Sequence, residues 1–244
     1  MKQKQSKDSL GDRMKSVYEN RTRYQLPGRT YIIIRIDGKA FHSYTKGLIR
    51  PFDKDLIEDM DSTAIHLCKN IMNCQFAYVQ SDEISLLLTD FITTDTQAWF
   101  DNNLQKICSV SASLATGAFN KKRYARGITK DAYFDSRVFS IGSKSEVANY
   151  FLWRQQDATR NSISSVAQSL FSPKELHGVS TKEMQELVFQ KAGINWDKYD
   201  PKLKRGRWIE KVYLGNGRSD WYSIECPIFN HDWYWIDSRI PDNG

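Results

Sequence analysis

Two short apolar segments, Phe76-Ala77-Tyr78-Val79-Gln80 and Ile84-Ser85-Leu86-Leu87-Leu88, are separated only by Ser81-Asp82-Glu83. Both read as buried strands, and three residues leave no room for a crossover, so the pair must be an antiparallel hairpin. This hairpin constrains everything around it. Upstream, Tyr31-Ile32-Ile33-Ile34-Arg35-Ile36 is another β-branched run, stopped by Asp37-Gly38. Between them, Pro51-Phe52-Asp53 offers a helix N-cap, with Asp55 in the first turn. Leu56, Met60, Ala64, Leu67, Cys68 and Ile71 follow at helical spacing. Downstream, the spacing of Trp99, Leu104, Ile107, Ser111 and Leu114 predicts a helix over 97–119. A basic loop, Lys121-Lys122-Arg123-Tyr124-Ala125-Arg126, then leads to a strand over 132–141.

The order is therefore β-α-β-β-α-β, the split pattern of ferredoxin-like domains, which also forms the palm of many polymerases and nucleotide cyclases. A long helical region over 145–171 follows, then a helix over 181–192 and Trp/Tyr-rich segments read as short strands. The expected fold is thus α+β, a ferredoxin-like βαββαβ palm with a C-terminal helical/β extension. Its divisions are an arm at 1–29, a palm-like catalytic domain at 30–172, and an extension at 173–244 packed on the palm with RNA or subunit contacts.

The topology locates the chemistry. A crossover connection makes the first two strands parallel, so both end at one edge of the sheet. The third strand turns back from that edge and lies beside the first. Asp37, at the end of the first strand, thereby meets Asp82 and Glu83 in the hairpin. Read alone, Asp37-Gly38 is an ordinary turn and Ser81-Asp82 an ordinary hairpin tip. Together they place like charges at one edge, a conflict that a divalent cation resolves. Mg²⁺ favours carboxylate, water and phosphate oxygens, and two such ions can activate a hydroxyl and stabilise a leaving pyrophosphate. Lys39 adds a cation for phosphate beside a glycine that permits close approach, and Lys46 and Arg50 extend the positive character. His42 is read equally as a base contact or as a satisfied buried side chain.

With 40% hydrophobic and 26% charged residues over 244 positions, the chain is globular rather than disordered. The 35 basic against 29 acidic residues, a net +6, suit a polyanionic partner without requiring one. No apolar run approaches the length of a membrane span, and Met1-Lys2-Gln3-Lys4-Gln5 does not open a signal peptide. The expectation is a cytoplasmic protein without membrane contact. Cys68, Cys74, Cys108 and Cys226 show no CxxC spacing and are read as reduced thiols.

Four motifs, in order, resemble those of the tRNA-His guanylyltransferase family. Arg35-Ile36-Asp37-Gly38-Lys39-Ala40-Phe41-His42 resembles its RxDGxxFH segment, and Ala77-Tyr78-Val79-Gln80-Ser81-Asp82-Glu83 its AYxQSDE hairpin. Phe134-Asp135-Ser136-Arg137 resembles its FDxR strand, and Tyr150-Phe151-Leu152-Trp153-Arg154-Gln155-Gln156-Asp157 its YxxWRQxD helix. The resemblance implies a polymerase-like palm that extends RNA in the 3′-5′ direction. The 5′ end of a tRNA is activated as an adenylate or triphosphate, and the 3′-hydroxyl of GTP or another NTP then attacks it. It also implies that Asp37 and Asp82 hold two Mg²⁺ ions, with the Gly38 carbonyl as a further ligand and Glu83 in the catalytic set. Lys39, Ala40, Phe41, His42, Ser81 and Lys106 become nucleotide-binding, with ATP and GTP or other NTPs as substrates.

Arg137, Arg154, Arg160 and Asn161, with Lys46, Arg50, Lys121, Lys122 and Arg123, are expected at tRNA or other phosphates. Trp153 and Asp157 are read at least as readily as packing residues. The family further implies a homotetramer, a dimer of dimers. Where eukaryotic members carry a HINN-type sequence, this chain reads Ala158-Thr159-Arg160-Asn161. It therefore resembles the bacterial, archaeal or phage guanylyltransferase-like branch, which repairs truncated tRNAs with template-paired nucleotides. Two other readings compete. A nucleotide cyclase or conventional 5′-3′ polymerase on the same palm would lack the WRQxD helix and FDxR strand. A non-catalytic RNA-binding module would carry an aromatic RNP-type strand, where this chain has Ile84-Ser85-Leu86-Leu87-Leu88.

Overall fold

Residues 9–243 are described by the computed structural model; the first eight residues of the expected arm, and residue 244, lie outside the described residues. The helices are α1 (Ser9–Val17), α2 (Phe41–Tyr44), α3 (Lys54–Asn70), α4 (Leu104–Ala125), α5 (Lys144–Gln168), α6 (Thr181–Ala192), α7 (Pro201–Lys204) and α8 (Trp233–Asp237). The strands are β1 (Tyr31–Gly38), β2 (Cys74–Gln80), β3 (Glu83–Thr89), β4 (Phe134–Ile141), β5 (Arg207–Gly215) and β6 (Arg218–Ile224). They form one six-stranded sheet in the order β4-β1-β3-β2-β5-β6, antiparallel at every junction.

Alternation along β1 assigns the two faces. Ile32, Ile34 and Ile36 pack under α3 and α4 with Met60, Leu67, Ile107 and Phe119. Tyr31 and Ile33 point the other way, toward Phe151 of α5 and toward Phe229 and Ile236 near the C-terminus. The central strands are buried on both sides, which is why β3 reads as an unbroken apolar run rather than an alternating one.

Local signals place several boundaries. Asp53 caps α3, its carboxylate accepting from the Leu56 amide at 2.8 Å. Ser180 and Glu183 form a capping box at the start of α6. Three expectations are corrected. The second long helix begins at Leu104 rather than near residue 97, because Phe100, Asp101 and Asn102 take left-handed backbone (φ +51°, +54° and +53°) and Asn103 is the N-cap. The basic segment at 121–126 is not a loop: α4 runs on to Ala125. Trp233 to Trp235 lie in helix α8 rather than a strand. All four cysteines are free thiols, and no helix among the described residues is long and apolar enough to cross a membrane.

Candidate active site at the sheet edge

β1 and β2 run parallel through the intervening β3 and end together. In the register, Asp37 stands opposite Glu83 on β3 and Asp135 on β4. Asp82 occupies the turn joining β2 to β3, and its carbonyl accepts from the Gly38 amide at 3.2 Å. The two aspartates therefore share one edge although 45 positions separate them. Ser81 holds a left-handed conformation (φ +46°) at the hairpin tip, and Ala40 does so (φ +54°) in the loop that follows β1. Both are non-glycine residues, and such strain is commonly maintained at functional sites.

The electrostatics divide the three acids. Burial, and then the neighbouring charge of Asp37, raise the Asp82 carboxyl above the usual carboxylate range. Among the described residues no lysine or arginine stands at ion-pair distance from Asp82, while Arg137 lies 3.9 Å from Asp37 and 3.8 Å from Asp135. Glu83 is different. Its carboxylate lies 3.1 Å from Arg154 Nε and 3.8 Å from Arg35 Nε, with Gln80 donating to it at 3.3 Å. Burial still raises the Glu83 carboxyl, against the lowering effect of Arg154 and Arg35. Among the described residues no three Asp, Glu, His or Cys side chains gather into a ligand set. The edge offers two hard carboxylates that repel each other, one of them without a cationic partner. That donor set suits Mg²⁺, which keeps most of its waters and takes one or two protein carboxylates plus phosphate.

The loop after β1 is held from beneath. The Phe41 ring stacks on Tyr44 (centroids 4.9 Å apart) and packs against Phe119 and Phe134. The Lys39 amide donates to the Tyr133 carbonyl at 2.8 Å, leaving an exposed ammonium-bearing side chain beside the edge. Lys130 donates to the carbonyls of Ser43 and Tyr44 at 2.8 and 3.1 Å, fixing the loop's far end. That anchor sits 86 residues downstream of Tyr44, with nothing in the local sequence to mark it. His42 is exposed, not buried, and lines a cavity of about 230 Å³ with Thr45, Arg50, Asp53 and Ser81. Lys46 is exposed on the same loop.

Other expected contacts separate. Arg123 is a correction: its guanidinium is 1% exposed and bonded to Asp59 at 3.1 Å, so it cannot meet a phosphate. The turn carrying it is helical, which directs that side chain inward against α3. Lys121 and Lys122 do stay exposed, on an open groove between α3 and α4. Lys106 is not brought to the carboxylate edge. α4 runs antiparallel to β4, with Asn120 bonded to Ala132 and Ser111 to Ser136, so its N-terminus lies at the opposite end. There Lys106 lines a cleft with Arg23, Gln25 and Phe100. Arg154 is buried in its ion pairs with Glu83 and Asp157. Arg160 and Asn161 are exposed, each bonded to Asp157.

A family model described as tRNAHis guanylyltransferase matches residues 11–142, just over half of the chain. Among solved structures, a bacterial tRNA(His) guanylyltransferase-like protein in complex with ATP is 45% identical, with a TM-score of 0.88 over 95% of this chain and 99% of that one. A bacterial guanylyltransferase-like protein in complex with GTP is 46% identical, with a TM-score of 0.84 over 96% and 99% of the two chains. The tRNA(His) guanylyltransferase of Saccharomyces cerevisiae is 27% identical over 200 residues, covering 74% of this chain and 82% of the yeast protein.

Proposed function

The chain belongs to the tRNAHis guanylyltransferase family, and on that premise we propose that it adds nucleotides in the 3′-5′ direction to the 5′ end of tRNA, by template-dependent repair, by guanylation of tRNA-His, or by both. The observation that carries this reading is the Asp37–Asp82 edge, which opens between the loop at 38–50 and α5. The strand order β4-β1-β3-β2, with α3 and α4 on one face, supports a ferredoxin-like polymerase palm at 30–172. The segment at 173–244 extends it, its two strands continuing the sheet from β2.

In the reaction, the 3′-hydroxyl oxygen of the incoming NTP forms a bond to the α-phosphorus of the activated RNA 5′ end. The bond from that phosphorus to pyrophosphate or AMP breaks, and the hydroxyl proton passes to solvent. Asp37 and Asp82, with the Gly38 carbonyl, are the residues that would hold two Mg²⁺ ions, whose Lewis acidity supports the attacking and leaving oxygens. Lys39, Ala40, His42 and Ser81 form the nucleotide side, with ATP and GTP or other NTPs as substrates; Phe41, expected among them, is instead buried beneath the loop as its support. Arg154 orients Glu83 rather than contacting RNA. Lys46, Arg50, Lys121, Lys122, Arg137, Arg160 and Asn161 are exposed, and the reading assigns them to tRNA phosphates. The proposal includes a cytoplasmic homotetramer, which sedimentation analysis tests directly.

The decisive experiment supplies Mg²⁺, labelled NTPs, a 5′-triphosphorylated tRNA lacking its first nucleotide, and full-length tRNA-His. Templated extension of the truncated tRNA is expected, and addition of G to tRNA-His alone would identify a dedicated guanylyltransferase. Asp37→Ala and Asp82→Ala should abolish transfer while tRNA binding persists. No incorporation into either RNA, or activity retained in both variants, overturns the reading.

A further inference from the structure

α5 buries Val147, Tyr150, Phe151, Arg154, Gln155 and Ala158 at helical spacing. Trp153 falls outside that set and remains 46% exposed. An indole left open next to a catalytic edge needs a physical reason, since burying it would contribute far more to stability. Its orientation is nonetheless fixed. The Arg154 guanidinium, only 4% exposed, lies 4.0 Å from the Trp153 ring centre, and Tyr150 meets the ring edge-on at 5.9 Å. Arg154 is itself held by Glu83 and Asp157, and Tyr150 by a 2.7 Å hydrogen bond to Ser85. The indole is thus braced from below by a rigid polar network while much of its surface stays in solvent.

That surface faces a cleft of about 430 Å³ whose walls include Asp37, Asp82, Arg35, Gln80 and Asn161. In its wall, buried Gln80 Oε1 has no hydrogen-bond partner among the described residues, while Arg35 Nε and Arg154 Nε face the Glu83 carboxylate at 3.8 and 3.1 Å. Buried polar atoms are nearly always satisfied, so the open Gln80 Oε1 leaves an acceptor in the cleft wall for a polar ligand. The His42–Arg50 cavity shares the hairpin tip Ser81 with this cleft, but draws its other walls from the loop after β1, the start of α3 and the C-terminal end of α5 (Ser165, Gln168). Two reactants must meet at the carboxylates, and the incoming nucleotide is assigned to the loop. The cleft under Trp153 is left for the other.

Resting on the proposed 5′-end transfer, we propose that Trp153 is the stacking platform for the terminal base at the 5′ end of the acceptor RNA, with the buried Arg154 guanidinium bracing the indole from its other side. A planar π surface already paired with a guanidinium accepts any base, because stacking is tolerant of sequence. This suits an acceptor whose first nucleotide varies.

The chain holds seven tryptophans, so Trp153 is isolated as the fluorescence difference between wild type and Trp153→Phe. The titrants are a 5′-triphosphorylated acceptor-stem minihelix and, separately, ATP or GTP. The minihelix should quench the Trp153 component, whereas nucleotide alone should not. Trp153→Ala should raise KM for the RNA about tenfold, a loss of about 1.4 kcal/mol, and leave KM for the NTP unchanged. Trp153→Phe should retain most of the RNA affinity, and both variants should melt at the wild-type temperature because the side chain is half exposed. Equal quenching in wild type and Trp153→Phe, quenching by nucleotide alone, or an RNA KM within twofold of wild type in Trp153→Ala overturns the assignment. An inactive wild-type protein would sink the parent reading. An active one indifferent to Trp153→Ala would sink only this one.

Discussion

Gly38 is where a single methyl group decides the geometry of the edge. A Cβ there would stand 2.2 Å from Phe41 Cδ2 and 2.6 Å from Cγ. The ring cannot step aside, because Tyr44, Phe119 and Phe134 surround it. Gly38→Ala should therefore displace the loop that carries Lys39 and His42. We expect about 1–3 kcal/mol of lost stability and a fall in single-turnover rate on the order of 100-fold, read by thermal melting and rapid-quench kinetics. Asp157 sets a pH-dependent contribution on the other side. Burial alone would raise its carboxyl, but Arg154 and then Arg160 outweigh that and hold it below the usual range. A depressed carboxylate stabilises the fold above its unfolded value, near 3.9, and that contribution is lost as the pH falls through the folded value. Asp157→Asn should melt below wild type at neutral pH, by about 1–3 kcal/mol, and the two curves should converge as the pH falls below about 4. A gap that stays constant into acid would show that Asp157 acts by packing alone.

Between elements, the α3–α4 contact depends on a buried ionic network. Asp59 and Arg123 are each 1% exposed, and Arg126 adds bonds to Asp55, Glu58 and Asp59 at 2.9–3.0 Å. Arg123→Ala should cost about 1–3 kcal/mol, because it removes a buried charge-assisted hydrogen bond while Arg126 still pairs with Asp59. tRNA affinity of the remaining folded protein should not change, and a weaker salt dependence of binding would contradict this. The same residue marks the limit of what sequence conveys. Asp53 and the Ser180–Glu183 box announce their helices within four residues, so those boundaries are legible. Arg123 and Asp59 are 64 positions apart, and a run of cations reads as a phosphate contact until its partner is known. Likewise, nothing local distinguishes Phe100, Asp101 and Asn102 as left-handed, since none is glycine. The convergence of Asp37 with Asp82 was legible because it follows from strand connectivity alone. Trp153's exposure was not, because it depends on which face of α5 meets the sheet.

Across the whole molecule, the edge concentrates a cost that the rest of the fold sustains. The central strands β1, β2 and β3 are buried on both faces, yet their edge ends in two carboxylates that repel each other, one of them raised by burial and by the other's charge. Two left-handed non-glycine residues, Ser81 and Ala40, flank them. A protein so arranged is more stable without one of the charges, which is the usual relation between a functional site and its scaffold. In chelator, Asp82→Asn should melt above wild type by roughly 2–4 °C for each kcal/mol of repulsion relieved. On the proposed two-ion site, saturating Mg²⁺ should bind the native state in preference to the unfolded chain and raise the wild-type melting temperature by mass action. It should do little for Asp82→Asn, which keeps only one of the two carboxylates. The order of the melting temperatures should therefore invert when magnesium replaces chelator. This readout does not depend on RNA or on turnover. If wild type stays below Asp82→Asn at every magnesium concentration, the edge is not where the ion binds, and the repulsion between Asp37 and Asp82 needs another partner.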